Sequence, residues 1–277
     1  MELLAGQLKA EKPCAGARQS GEPATAGLPH RSPTVDSRPC WLTAHIHACM
    51  TQNAIFFLDL KRDKFLGVSA NEMSTLARLV HGWPIKSDST DTHPLAAARD
   101  DVEAAETYIQ QGLLTRDPKS GRSAQPVSLT EEQTLLSLGE TQEYAGHIRP
   151  RHVLTFLIAC SQAGWALQFR SLAYAVRSVQ LQKARASSQQ LNFNEEHCAN
   201  LVMIFRRLRS LLFTTQDKCL FHALSLVNFL AMYHQFPKWV IGVQEAPFGA
   251  HSWVQHGQFV LDSSPESVCF YTPILAV

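Results

Sequence analysis

The sequence has almost no net charge, no membrane span and no cysteine framework. Its 277 residues carry 25 basic and 24 acidic side chains, a formal charge of +1, so neither nucleic acid nor an anionic bilayer is expected as a partner. No apolar run approaches the roughly 20 residues that a membrane helix needs. The N-terminus, MELLAGQLKAEKPCAGARQS, lacks the basic start and apolar block of a secretory signal. Seven cysteines at irregular spacing form neither a disulfide framework nor a zinc pattern. These absences point to the cytoplasm, where thiols stay reduced and one can be kept for its chemistry. No glycine-rich phosphate loop is present, so no directly bound cofactor or metal is expected.

What is there suits a globular protein: 45% hydrophobic and 18% charged residues. Residues 1–39 are rich in Gly, Pro, Ala, Ser and Arg without periodicity, which predicts a disordered extension or an upstream translation start. Order begins near Trp41. WLTAHIHA alternates like a half-buried strand, and Ala54–Leu60 and Lys64–Val68 read as two more strands around a Lys61-Arg62-Asp63 turn. Ser69 and Glu72 fit a capping box for a helix that stops at Gly82. A second helix is expected from about Leu95 to Leu114. Three small strands and their helices make a module over residues 40–118 of about 80 residues, feasible for a small domain.

Residues 119–130 read as a polar linker, and 131–277 as a second domain. Arg149–Arg185 predicts two helices interrupted near Gly164. Asn194–Phe213 is strongly amphipathic. Its Arg206, Arg207 and Arg209 read as a solvated face or as a contact surface for an acidic partner. Thr215 or Asp217 is expected to cap a helix ending near Tyr233. With Asp217 as cap, Cys219 is its second residue, where free N–H groups stabilise a thiolate.

Beyond that helix, Lys238–Val243 is a buried strand, and HSWVQ and QFVLD are two strands around a His256-Gly257 turn. Pairing outward from Gln255 and Gln258 sets His251 opposite Asp262. Asp262 then orients the imidazole, whose other nitrogen faces Cys219. A helix-opening Cys, then His and Asp from adjacent strands, is the cysteine-protease order in linear form. Each residue alone is more often structural. His222 lacks a paired carboxylate, His256 is explained as a turn residue, and Cys269 has no helix start before it. The ordered conjunction is what singles out Cys219, His251 and Asp262.

CLFHALSLVNFL, WVIGVQEAPFGAHSWVQ and VLD together resemble the transglutaminase-like domain of lasso-peptide maturation proteases, the B proteins of the microcin-J-processing family. The chain departs from that family's pattern at Gln255, where Glu is usual, and at Leu261, where Asn is common. IFFLDLKRDKFLGVSANE resembles the leader-peptide recognition element of ribosomally made peptide pathways, a small winged-helix-like module. The fold class so implied is α+β: a winged-helix-like module of three strands plus helices, then a transglutaminase/papain-like cysteine protease domain. The resemblance implies that the leader of a precursor peptide adds a strand to the Lys64, Phe65, Leu66, Gly67, Val68 edge. It implies cleavage of leader from core, and handover of the core to an asparagine-synthetase-like cyclase through which ATP acts. Gln216 is a candidate oxyanion donor beside backbone N–H groups at the helix start. Two other functions remain open at this stage: an acyltransferase or deamidase using the same three residues, and a non-catalytic peptide-binding scaffold.

Overall fold

WLTAHIHA does not form one strand. In the computed structural model, which describes residues 39–83, 103–129, 136–137, 147–187, 193–212 and 218–277, it divides into β1 (Trp41–Thr43) and β2 (Ile46–Met50) with a turn between. The two halves enter different sheets. β1 sits between β5 (Leu114–Thr115) and β6 (Gly121–Arg122). Residues expected to end a helix and to form a linker are therefore strands. The expected helix is observed over residues 103–110, labelled α2.

β2 opens a second sheet with β3 (Ala54–Asp59) and β4 (Lys64–Ser69), in the order β2-β3-β4. The β3–β4 ladder runs unbroken from Ala54↔Ser69 to Asp59↔Lys64. Alternation sends Ile55, Phe57 and Val68 to one face, where they pack with Leu76 and Val80 of the α1 (Ala70–Leu79) region, Trp83 and Tyr108. The Tyr108 hydroxyl donates to the Glu72 carboxylate. Phe56 and Leu58 face the other way.

That other face is shared with the C-terminal half. Phe56, Leu58 and Leu60 belong to the same core as α3 (Pro150–Phe169), α4 (Leu172–Ser187), α5 (Glu195–Leu212) and α6 (Cys219–Ala231). The β3–β4 turn explains where the helix after α3 begins. Asp63 Oδ1 accepts from Leu172 N–H at 2.7 Å and the Leu60 carbonyl from Ala173 N–H at 3.0 Å. Asp63 thus satisfies a free donor at the start of α4 from a distant part of the chain. The expected interruption at Gly164 is absent; α3 continues through it, and the break falls at Arg170, in extended backbone.

α6 is the buried axis of this half, with His222 to Leu230 enclosed. It packs on the other helices and on a five-stranded sheet of order β11-β8-β9-β10-β7. Its strands are β7 (Leu136–Ser137), β8 (Lys238–Gln244), β9 (Gly249–His256), β10 (Phe259–Val260) and β11 (Thr272–Ala276). Trp239, Ile241, Val243 and Val254 face the helices. Val240, Trp253, Val260 and Val268, the last from α7 (Pro265–Val268), form a small core on the opposite face. Phe248, in the β8–β9 turn, reaches the N-terminal sheet, its ring centroid 5.4 Å from that of Phe56 and 6.0 Å from that of Phe65.

Candidate active site

Three partly buried side chains define the site: Cys219, His251 and Asp262. Cys219 is the first residue of α6, with Lys218 at the cap position and no side-chain cap bond. The expected caps Thr215 and Asp217, and the expected donor Gln216, lie outside the described residues. N–H groups at the start of a helix have no partner within it, and here those of Cys219 and Leu220 act on the sulfur. Burial raises the Cys219 pKa; the N–H groups of Ser252 and Leu220 pull it down, and the Asp262 charge pushes it up again. Donors expected at the helix start lie beside the sulfur, and burial opposes them. The contrast with Cys49 and Cys198 is still clear. Burial alone drives those two to about 12.

Asp262 arrives differently from the sequence expectation. The hairpin register is Phe259↔His256 and Val260↔Gln255, two residues away from the predicted pairing. The cause is Gly257, whose φ of 54° places it at the first central position of the turn, with Gln258 second. The ladder ends after Val260, and the Leu261 N–H still donates to the Val254 carbonyl. Asp262 then turns inward, and its Oδ1 accepts from Val254 N–H at 2.8 Å. Where β10 stops, the next two outward N–H groups of β9 are therefore taken by a carboxylate, at Val254, and by a thiol, at Ser252. Burial pushes Asp262 up to about 6, opposed by the Val254 N–H and by the guanidiniums of Arg209 and Arg206.

His251 does not bond Asp262. Its Nε2 lies 3.2 Å from Ser263 Oγ, one residue beyond the expected partner. Its ring stacks on Trp253, at 6.1 Å between centroids, and tilts against Tyr271 at 5.2 Å. Burial lowers its pKa, so the imidazole is neutral near pH 7. Gly242 stands opposite His251 on β8. A Cβ there would meet the Trp253 ring at 2.8 Å and the Tyr271 Cβ at 3.0 Å, so the glycine makes room for the aromatic walls of the imidazole. A hydrophobic run interrupted by glycine, VIGV, was the signal available for that role.

Gln255 uses its amide at both ends, accepting from Trp253 Nε1 at 3.0 Å and donating to the Gly257 carbonyl at 2.8 Å. A glutamate could not make the second bond. His222 is buried within α6, His256 stacks on Phe193 at the end of β9 rather than in the turn, and Cys269 is exposed beyond α7. Arg206 and Arg209, read as a surface face, are partly buried behind Asp262, and only Arg207 is exposed. Of the expected edge residues, Lys64, Leu66 and Gly67 are exposed on β4, Phe65 is partly buried and Val68 is buried. Among the described residues no group of His, Cys, Asp and Glu is placed to hold a metal ion, and no helix is long and apolar enough to cross a membrane.

A thiol, an imidazole and a carboxylate are the group types that acyl transfer uses as nucleophile, base and charge. No curated protein and no solved structure matches the chain. A family model described as Transglutaminase-like superfamily matches residues 158–276, a span that contains Cys219, His251 and Asp262. Over that span, 119 of the 277 residues, the chain is similar to the transglutaminase-like superfamily.

Proposed function

We propose that the protein is a leader peptidase of lasso-peptide maturation, cleaving leader from core through Cys219, His251 and Asp262. The observation that carries the reading is the thiol at the start of α6, facing the Ser252 N–H beside Asp262, within a transglutaminase-like domain. His251 Nε2 exchanges Ser263 for the Cys219 thiol and takes its proton, and the sulfur attacks the scissile carbonyl. The oxyanion is met by N–H groups at the helix start, with the Gln216 side chain as a further donor. The imidazolium then protonates the leaving amine, which becomes the N-terminus of the core. Water hydrolyses the thioester and returns the thiol.

The β4 edge, Lys64 to Val68, is the proposed seat of the leader peptide, which adds a strand beside it. Among the described residues β4 pairs only with β3, and the Phe248 contact joins that sheet to the turn preceding His251. The freed core amine passes to an asparagine-synthetase-like cyclase, and ATP acts through that partner. The same thioester captured by an amine would instead make the protein an acyltransferase, so the test must identify the product. Full-length protein, precursor peptide, cyclase and ATP are combined and followed by mass spectrometry. Free leader with a carboxyl terminus is expected from wild type, and intact precursor from Cys219→Ala. Equal cleavage by both proteins, or an amine-linked leader, would overturn the reading.

A further inference from the structure

The residues that follow β10 are anchored one after another. The Leu261 N–H donates to the Val254 carbonyl at 2.9 Å, and the Leu261 carbonyl accepts from Arg206 Nη2 at 2.9 Å. Asp262 Oδ1 accepts from Val254 N–H at 2.8 Å. Ser264 caps α7: its hydroxyl accepts from Ser267 N–H at 3.2 Å, and its carbonyl from the Ser267 hydroxyl at 2.7 Å. Ser263 stands between these fixed neighbours, and its Oγ lies 3.2 Å from His251 Nε2. Among the described residues that is the one hydrogen bond of the His251 side chain. The imidazole is otherwise held by ring contacts, nearly parallel to Trp253 at 16° and inclined to Tyr271 at 36°. The Cys219 sulfur has different partners, the N–H groups of Ser252 and Leu220. Nε2, the atom that takes the thiol proton in the proposed reaction, is therefore occupied by a hydroxyl, whichever of the two atoms donates.

We propose that Ser263 is a positioning residue that latches the base at rest: its hydroxyl keeps His251 Nε2 from the Cys219 thiol until that bond is exchanged. The proposal deepens the peptidase reading and rests on it for His251 acting on Cys219. Because the segment around Ser263 is anchored on both sides, the imidazole is the partner that moves. Freed of the hydroxyl, a neutral imidazole takes the thiol proton more often, and more of Cys219 stands as thiolate at neutral pH. The titratable groups that the packed elements set around the imidazole are Cys219 of α6, Asp262 after β10 and Tyr271 after α7. Burial is what lowers the pKa of His251 itself.

The test is the reactivity of Cys219 in full-length protein without substrate. Wild type, Ser263→Ala and Ser263→Thr are treated with iodoacetamide over a pH series starting near neutrality, and each cysteine is followed at the peptide level by mass spectrometry. Ser263→Ala should alkylate Cys219 roughly two- to tenfold faster near neutral pH, the change that one neutral hydrogen bond makes in an equilibrium. The gain should shrink as pH rises and the thiol ionises without a base. Ser263→Thr keeps the hydroxyl and should react at the wild-type rate. A merely structural role for Ser263 would speed alkylation by the same factor at every pH. A second measurement needs no substitution at Ser263. In wild type labelled with 15N-histidine, the His251 Nε2 resonance, assigned by its loss in His251→Gln, should be that of a hydrogen-bonded nitrogen. Equal or slower alkylation of Ser263→Ala near neutral pH, a gain that does not change with pH, or a free Nε2 in wild type would overturn the proposal. Neither measurement uses a peptide: absent precursor cleavage by wild type counts against the peptidase reading, and an unchanged Cys219 rate against the latch.

Discussion

The β3–β4 and β9–β10 hairpins begin alike, as antiparallel ladders closed by short turns, and they end differently. The first keeps its register over the whole length of both strands, from Ala54↔Ser69 to Asp59↔Lys64. Its backbone groups are spent on itself, and what it offers is an outer edge. The second stops after Val260, and two N–H groups of β9 are left to side chains, Asp262 at Val254 and Cys219 at Ser252. A buried N–H must find an acceptor. An interrupted ladder therefore gathers polar atoms that a complete one would exclude. In the proposed function, the complete hairpin serves recognition and the interrupted one chemistry.

Removing the support behind the interrupted ladder should have the largest effect. Trp239 is fully buried, and its Nε1 donates to Ser252 Oγ at 2.8 Å. Trp239→Ala is expected to cost about 3–5 kcal/mol, measured by denaturant unfolding. A cost below 1 kcal/mol would mean that β9 is held from elsewhere. On the side of the complete ladder, Asp63→Ala removes the acceptor for Leu172 N–H at the start of α4. Its φ of 54° also puts this residue in the left-handed region. The expected cost is about 1–2 kcal/mol, and Asp63→Asn should retain most of the wild-type stability.

A smaller effect, of opposite sign, sharpens the contrast. Burial holds Asp262 up to about 6 against an ordinary 3.8, so the folded chain binds that proton more tightly than the unfolded one. The resulting stabilisation is complete below about pH 4 and is lost as pH rises through 6. At pH 8 the ionised carboxylate is a net cost. Asp262→Asn keeps an acceptor for Val254 N–H and removes the charge. It should raise Tm at pH 8 by about 2–4 °C, the shift that ~1 kcal/mol produces in a chain of this size, with no gain below pH 4. Lower stability at pH 8 would show that the ionised form is the favoured one.

The difference between the two hairpins also marks how far the sequence could be read. Where side-chain alternation and turn chemistry act locally, the elements fall within a residue or two of expectation: β3, β4, α5, β8 and the helix opening at Cys219. The β9–β10 register failed because HG and GQ are both plausible two-residue turns, and the choice depends on which position the glycine occupies. The α3–α4 break failed because its cap, Asp63, is supplied from more than 100 residues away. Arg206 was legible as part of a charged stripe only; its bond to the Leu261 carbonyl depends on where the hairpin comes to rest. Strands of two residues, such as β5, β6 and β7, carry too little pattern to be found by periodicity.

The most direct test of the interrupted-ladder account is the reactivity of Cys219 with and without the Asp262 charge. Full-length wild type and Asp262→Asn are treated with iodoacetamide at pH 8, and each cysteine is followed at the peptide level by mass spectrometry. Because the Asp262 carboxylate raises the Cys219 thiol, Asp262→Asn should alkylate Cys219 faster, by roughly threefold or more. The exposed Cys269 should react at the same rate in both proteins. Equal or slower alkylation of Cys219 in Asp262→Asn would contradict the claim that the interrupted ladder couples these two groups.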